Sequence, residues 1–158
     1  MTTYVTLLRG IMPMNPNMRG EKLKGVFESL GFKNVHTVIA SGNVVFESNS
    51  KNTAALEAKI EKALPKQLGF TSMTIVRSRA LLLSLVKKDP FKGVEDKKPN
   101  YLIVTFIKNK KAPLCTVVNL ETGKTPDFMR ETEKKFGKQI TTRTWKTILR
   151  ILKKMESL

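Results

Sequence analysis

The apolar positions of the chain change period from stretch to stretch, and each change predicts an element. Thr3–Leu8 alternates and is rich in Tyr, Val and Leu, which predicts a strand. Residues 9–17 carry two prolines and predict a loop. From Met18, the positions Leu23, Val26, Phe27 and Leu30 recur at helical spacing; Asn17 is placed to cap this helix and Gly31 to end it. Val35–Ile39 and Val44–Glu47 predict two strands, joined by Ala40-Ser41-Gly42-Asn43, where glycine supplies the positive φ of a tight turn. Leu56, Ile60, Ala63 and Leu64 mark a second helix, kinked or ended by Pro65, and Ser72–Val76 predicts another strand. The order over residues 1–77 is β-α-β-β-α-β, a ferredoxin-like half: four antiparallel strands with both helices on one face.

A second, related but shortened α+β half follows over residues 78–158. A helix over 78–88 carries Leu81, Leu82, Leu85 and Val86 and stops at Asp89-Pro90; residues 89–100 read as a linker. Tyr101–Ile107 and Cys115–Leu120 predict strands around a basic turn, Lys108–Pro113. Thr125-Pro126-Asp127 combines a cap, a proline at the first helical position and an acid in the first turn. Phe128, Met129, Thr132 and Phe136 share a face of that helix, and Gly137 ends it. Ile140–Thr144 predicts a short strand that feeds a final helix from Trp145, with Ile148, Leu149, Leu152 and Met155 inward. The two halves are expected to make one compact unit.

Charge changes this picture most. The 158 residues hold 29 Lys and Arg against 13 Asp and Glu, a net charge of +16. Residues 1–79 carry 11 bases and 5 acids, and residues 80–158 carry 18 and 8, so the excess belongs to the folded body rather than to a tail. Such a field attracts polyanions, although a lysine-rich composition also arises without any such partner. The densest stretch is Lys135–Leu158, with seven bases and one acid. There Lys146, Arg150 and Lys153 are spaced to lie opposite the apolar stripe of the final helix. Trp145 heads that helix, placed either to stack on a base or to pack in the core.

Composition also excludes chemistry. One histidine, His36, and one cysteine, Cys115, cannot build a His/Cys metal site, and no carboxylates have calcium-loop spacing. No metal and no cofactor is expected. A Gly-x-Ser-x-Gly nucleophile turn is absent, and Gly123-Lys124-Thr125 lacks the first glycine and the loop length of a phosphate-binding loop. No catalytic residue is identified. A lone thiol, a start without a signal-peptide pattern and the lack of a ~20-residue apolar run predict a cytoplasmic protein without a membrane segment.

Four stretches together resemble a known family. They are Tyr4-Val5-Thr6-Leu7-Leu8-Arg9-Gly10-Ile11, Ser41-Gly42-Asn43-Val44-Val45-Phe46, Asp89-Pro90-Phe91 and Thr141-Thr142-Arg143-Thr144-Trp145-Lys146-Thr147. The chain is similar, nearly end to end, to the domain of unknown function 1697, a bacterial and archaeal family. The resemblance implies an α+β fold of ferredoxin-like character with a second, related half, and implies no activity. Many members follow Arg-Gly-Ile with Asn and a glycine-rich loop. Here Met12-Pro13-Met14-Asn15-Pro16-Asn17 stands instead, and its prolines remove N–H donors that would cradle a phosphate. The second half is also shorter than in many members between Ile107 and Cys115.

Three functions fit. The first is a non-enzymatic basic module that binds nucleic acid or another polyanion through phosphate contacts from Lys108, Lys110, Lys111, Arg143, Lys146, Arg150 and Lys153. The second is a pocket for a small anionic ligand, or an enzyme, built on Arg9, Ser41, Asn43 and Arg143, polar residues at the ends of extended segments. For Arg9 the competing role is an ion pair with an acid such as Glu47, and for Ser41-Gly42-Asn43 it is a plain hairpin connector. The third is a structural or protein-interaction module.

Overall fold

The computed structural model describes residues 1–39, 42–119, 121 and 125–158, with 125–127 and 129 described by backbone alone. It is a mixed α+β protein: among the described residues five α-helices accompany two antiparallel sheets. The first sheet contains β1 (Thr2–Leu8), β2 (Lys33–Thr37), β3 (Asn43–Ser48) and β4 (Thr74–Ser78), in the order β2-β3-β1-β4. Helices α1 (Gly20–Ser29) and α2 (Thr53–Leu68) complete this part. The rest of the chain supplies α3 (Arg79–Lys88), α4 (Thr125–Phe136), α5 (Trp145–Glu156) and a second sheet. That sheet is ordered β6-β5-β7, from β5 (Asn100–Ile107), β6 (Lys110–Asn119) and β7 (Ile140–Thr144).

The inner strands of the first sheet, β1 and β3, are buried on both faces, which is why they read as near-continuous apolar runs. Tyr4, Leu8, Val44, Phe46 and Val76 point to one side and pack with Leu23, Val26 and Phe27 of α1 and Leu56, Ile60 and Leu64 of α2. Within this cluster Phe32 stacks on Phe46 with ring centroids 4.3 Å apart. Val5, Leu7, Val45 and Ile75 point to the other side. They join Leu82 and Leu85 of α3, Leu102, Val104 and Phe106 of β5, and Ile148, Ile151, Leu152 and Met155 of α5 in a second core. One core therefore continues from the first sheet into the second half of the chain.

Several boundaries move from those predicted. Helix α1 starts at Gly20; Met18 belongs to a separate 3-10 turn, Pro16–Met18, that Asn15 caps through its side chain. Asn17 instead donates its backbone N–H to Asn15. Pro65 does not end α2, which runs on to Leu68 and closes at Gly69 in the left-handed region. Its missing N–H costs one helical bond near the C-terminal end, where few bonds lie beyond it. The basic turn after β5 shrinks to Lys108 and Asn109; Lys110–Pro113 are already strand. Pro113 is tolerated there because β6 is an edge strand.

Candidate functional site

Two arginines stitch the end of β1 to the second half of the chain. Arg143, on β7, aims its guanidinium back at the first sheet. Its Nε donates to Asn43 Oδ1 at 2.6 Å, one terminal nitrogen donates to Thr141 Oγ1 and the Thr142 carbonyl, and the other donates to the carbonyls of Leu8 at 2.8 Å and Gly42 at 3.4 Å. Among the described residues five acceptors thus surround this one guanidinium. Burial alone pushes its pKa down, to about 10. Arg9 makes the reciprocal contact. It follows β1, donates to the carbonyls of Lys138 and Ile140, and forms an ion pair with Glu133 of α4. Glu47, the acid considered for it from sequence, instead accepts from Asn34.

Asn43 and Arg143 are therefore bonded to each other, whereas the Arg9 side chain runs to Lys138, Ile140 and Glu133, and the donors of all three are engaged with protein acceptors. Ser41 lies outside the described residues. Asn43 is 1% exposed, opens β3, and donates its side-chain amide to the Val38 carbonyl. It also lines a cavity of about 100 Å³ with Pro13, Leu23 and Ile39, room for a few waters. Gly42 has φ +83°, and a Cβ there would lie 2.7 Å from the Ile11 side chain and 3.1 Å from that of Leu8. The turn is thus shaped by close packing as well as by its positive φ.

A third arginine, Arg77 on β4, was not singled out from the sequence. It is 6% exposed and donates to the carbonyls of Val76, Ile107, Lys108 and Lys110. Glu57 of α2 lies 3.6 Å away and accepts the Val76 N–H at 2.8 Å. Burial lowers the Arg77 pKa against the pull of Glu57, and burial raises that of Glu57 against its hydrogen bond and neighbouring cations. The signal was legible: the period of two places Arg77 on the same inward face as Ile75.

The cations predicted to form one patch divide between the two edges of the first sheet. Arg150, Lys153 and Lys154 of α5 lie beside Thr37 and Ile39 at the β2 edge. Lys108, Lys110 and Lys111 lie beside Arg77 and Ser78 at the β4 edge. Three strand spacings, about 14 Å, separate β2 from β4. Arg143 sits in the seam and belongs to neither. Arg150 and Lys153 at the β2 edge, and Lys146 one turn earlier on α5, are exposed, and none forms an ion pair among the described residues. The field of this edge acts on His36 of β2, whose pKa is lowered by burial and then by Lys154 and Lys24. At the β4 edge Lys108 pairs with Glu61 at 2.7 Å.

Trp145 is half-buried, its ring edge-on to Phe91 with centroids 5.2 Å apart. It packs against the core that the first sheet shares with α5, which leaves less of it to stack on a base. Cys115 is half-buried, and burial raises its thiol pKa, the opposite of an activated nucleophile. Among the described residues, no three His, Cys, Asp or Glu side chains gather as a metal site, and no helix is long and apolar enough to cross a membrane.

The fold defines a mixed α+β protein with basic side chains at both edges of its first sheet. The chain belongs to the family described as "Protein of unknown function (DUF1697)", whose model matches residues 1–139. No curated protein matches it. Its fold is similar to that of a conserved bacterial protein from Streptococcus pneumoniae, with a TM-score of 0.75 over 98% of each chain at 20% identity.

Proposed function

We propose that this protein is a binding module for a polyanion, nucleic acid foremost, engaged through phosphate contacts at the β2 edge. One observation carries the reading: the exposed bases Lys146, Arg150 and Lys153 of α5 lack ion-pair partners among the described residues. Lys146, Arg150 and Lys153 supply the contacts, with Lys154 and Lys24 beside them. Such contacts position a phosphate backbone without reading its sequence. Among the described residues no exposed aromatic ring accompanies them, so base stacking is not part of the proposal.

The fold reading that goes with it is a ferredoxin-like first half, supported by the strand order β2-β3-β1-β4 and by antiparallel pairing throughout. The single thiol fits a reducing cytoplasm as its compartment. The small-anion reading at Arg9, Asn43 and Arg143 is the weaker one, because an incoming anion would have to displace carbonyl acceptors already in place.

The test is a salt titration with a short oligonucleotide. With three phosphates contacted, log K falls against log salt with a slope of about −2 to −3. Charge reversal at Lys146, Arg150 and Lys153 together flattens that slope. A flat titration of the unaltered protein refutes the proposal.

A further inference from the structure

The opposite edge of the first sheet holds a groove that the polyanion reading does not use. Its basic limb, about 390 Å³, is lined by Lys51, Arg77, Lys108, Lys110 and Lys111. Lys108 is neutralised by Glu61 and Arg77 is shared with Glu57, which leaves Lys51, Lys110 and Lys111 without a carboxylate partner among the described residues. The N-terminal ends of α2 and α3 also face this limb, at Thr53 and Ser78. Asn52 and Ser78 already accept the Ala55 and Leu81 amides as caps, and both helix dipoles still favour an anion. Arg77, more than nine-tenths buried and held by four carbonyls, forms part of the wall of this limb.

A second limb of about 580 Å³ continues from the first and shares Leu81 and Lys111 with it. It lies between α3 and β6, and its walls are mostly apolar: Leu85, Pro90, Ala112, Pro113 and Cys115. The whole groove follows α3 from Ser78 to Pro90, a length of about 18 Å at the helical rise per residue. A purely polar anion would leave the apolar limb unfilled, and an uncharged apolar molecule would leave Lys51 and Lys111 unanswered, while Lys110 keeps only its contact with the Phe136 ring, 5.3 Å from its centroid.

We propose that this groove is a binding site for a small phosphate monoester with an apolar body, the phosphate on Lys51, Lys110 and Lys111 and the body along Leu81 and Leu85. The site is separate from the α5 patch and stands or falls without it.

Hexyl phosphate, inorganic phosphate and hexanol serve as probes, followed by amide shifts in two-dimensional NMR spectra. Hexyl phosphate binds at least roughly tenfold more tightly than inorganic phosphate, since several methylenes leave water, and it shifts amides at Lys51, Leu81 and Lys111. Ser84 is exposed and lines the apolar limb, so Ser84→Trp fills that limb without disturbing the core. This variant abolishes the preference for hexyl phosphate and leaves inorganic phosphate binding intact. Lys110→Glu combined with Lys111→Glu removes both. Equal affinities for hexyl phosphate and inorganic phosphate overturn the proposal. So does hexanol binding as well as hexyl phosphate, or binding that survives the charge reversal.

Discussion

At the scale of single residues, the arginines of this protein serve the fold before they serve any ligand. Lysine cannot reproduce the planar fork with which Arg143 reaches Asn43, Leu8 and Gly42. Arg143→Lys leaves buried acceptors unmet and destabilises the protein by about 2 kcal/mol in urea unfolding. Gly42→Ala adds a methyl into Ile11 at a positive φ and costs more than about 1 kcal/mol by the same measurement. For the Arg77–Glu57 pair, Glu57→Ala strands a buried guanidinium and the Val76 N–H, with an expected loss of about 3 kcal/mol. The double variant Arg77→Met, Glu57→Leu removes both charges and loses less than Glu57→Ala alone, which a double-mutant cycle reads directly. The sequence marked Arg9 and Arg143 by their motifs, but the partners that tie them to the other half of the chain, among them the Leu8 and Ile140 carbonyls and Glu133, lie more than a hundred positions away, beyond the reach of local pattern.

At the scale of elements, α5 does two things at once. Its inner face, Ile148, Ile151, Leu152 and Met155, closes the shared core, and its outer face carries the cations. Because the chain has a single histidine, His36 reports on that outer face without labelling ambiguity. Its folded pKa lies below the ordinary 6.5. The unfolded chain therefore takes up this proton first as pH falls. The stability His36 contributes is present above pH 6.5 and is lost as pH falls through its folded pKa. Lys154→Glu raises the His36 pKa in an NMR titration. A bound polyanion raises it too, so polyanion binding takes up protons and tightens as pH falls through this range; an unchanged titration in the presence of oligonucleotide would contradict the placement at the β2 edge. The outline of α5 was legible from its spacing, and β7 matches its predicted span from Ile140 to Thr144. What spacing did not reveal is that β6 begins at Lys110, because lysines and a proline mask an edge strand.

At the scale of the whole molecule, the second face of the first sheet binds the halves together. Val5, Leu7, Val45 and Ile75 have their packing partners in α3, β5 and α5. A fragment of residues 1–78 exposes that face and is expected to lack a cooperative thermal transition, although it contains every strand of its sheet. Removal of residues 145–158 has the same outcome for the remainder, since it strips four buried side chains from the core. Both are read by circular dichroism melting and dispersion of NMR signals.

By itself the sequence determined the element order, the apolar stripes, the family and the strong positive charge, because each is written in composition or in a period of two or 3.6 residues. Tertiary structure decided where the charges stand. Residues close in the chain share a helix face, but the sheet order β2-β3-β1-β4 carries the hairpin lysines and the α5 lysines to opposite edges. It also decided that Arg143 faces carbonyls rather than solvent. Strand order and cross-sheet packing depend on contacts distant in sequence, and local periodicity carries no record of them.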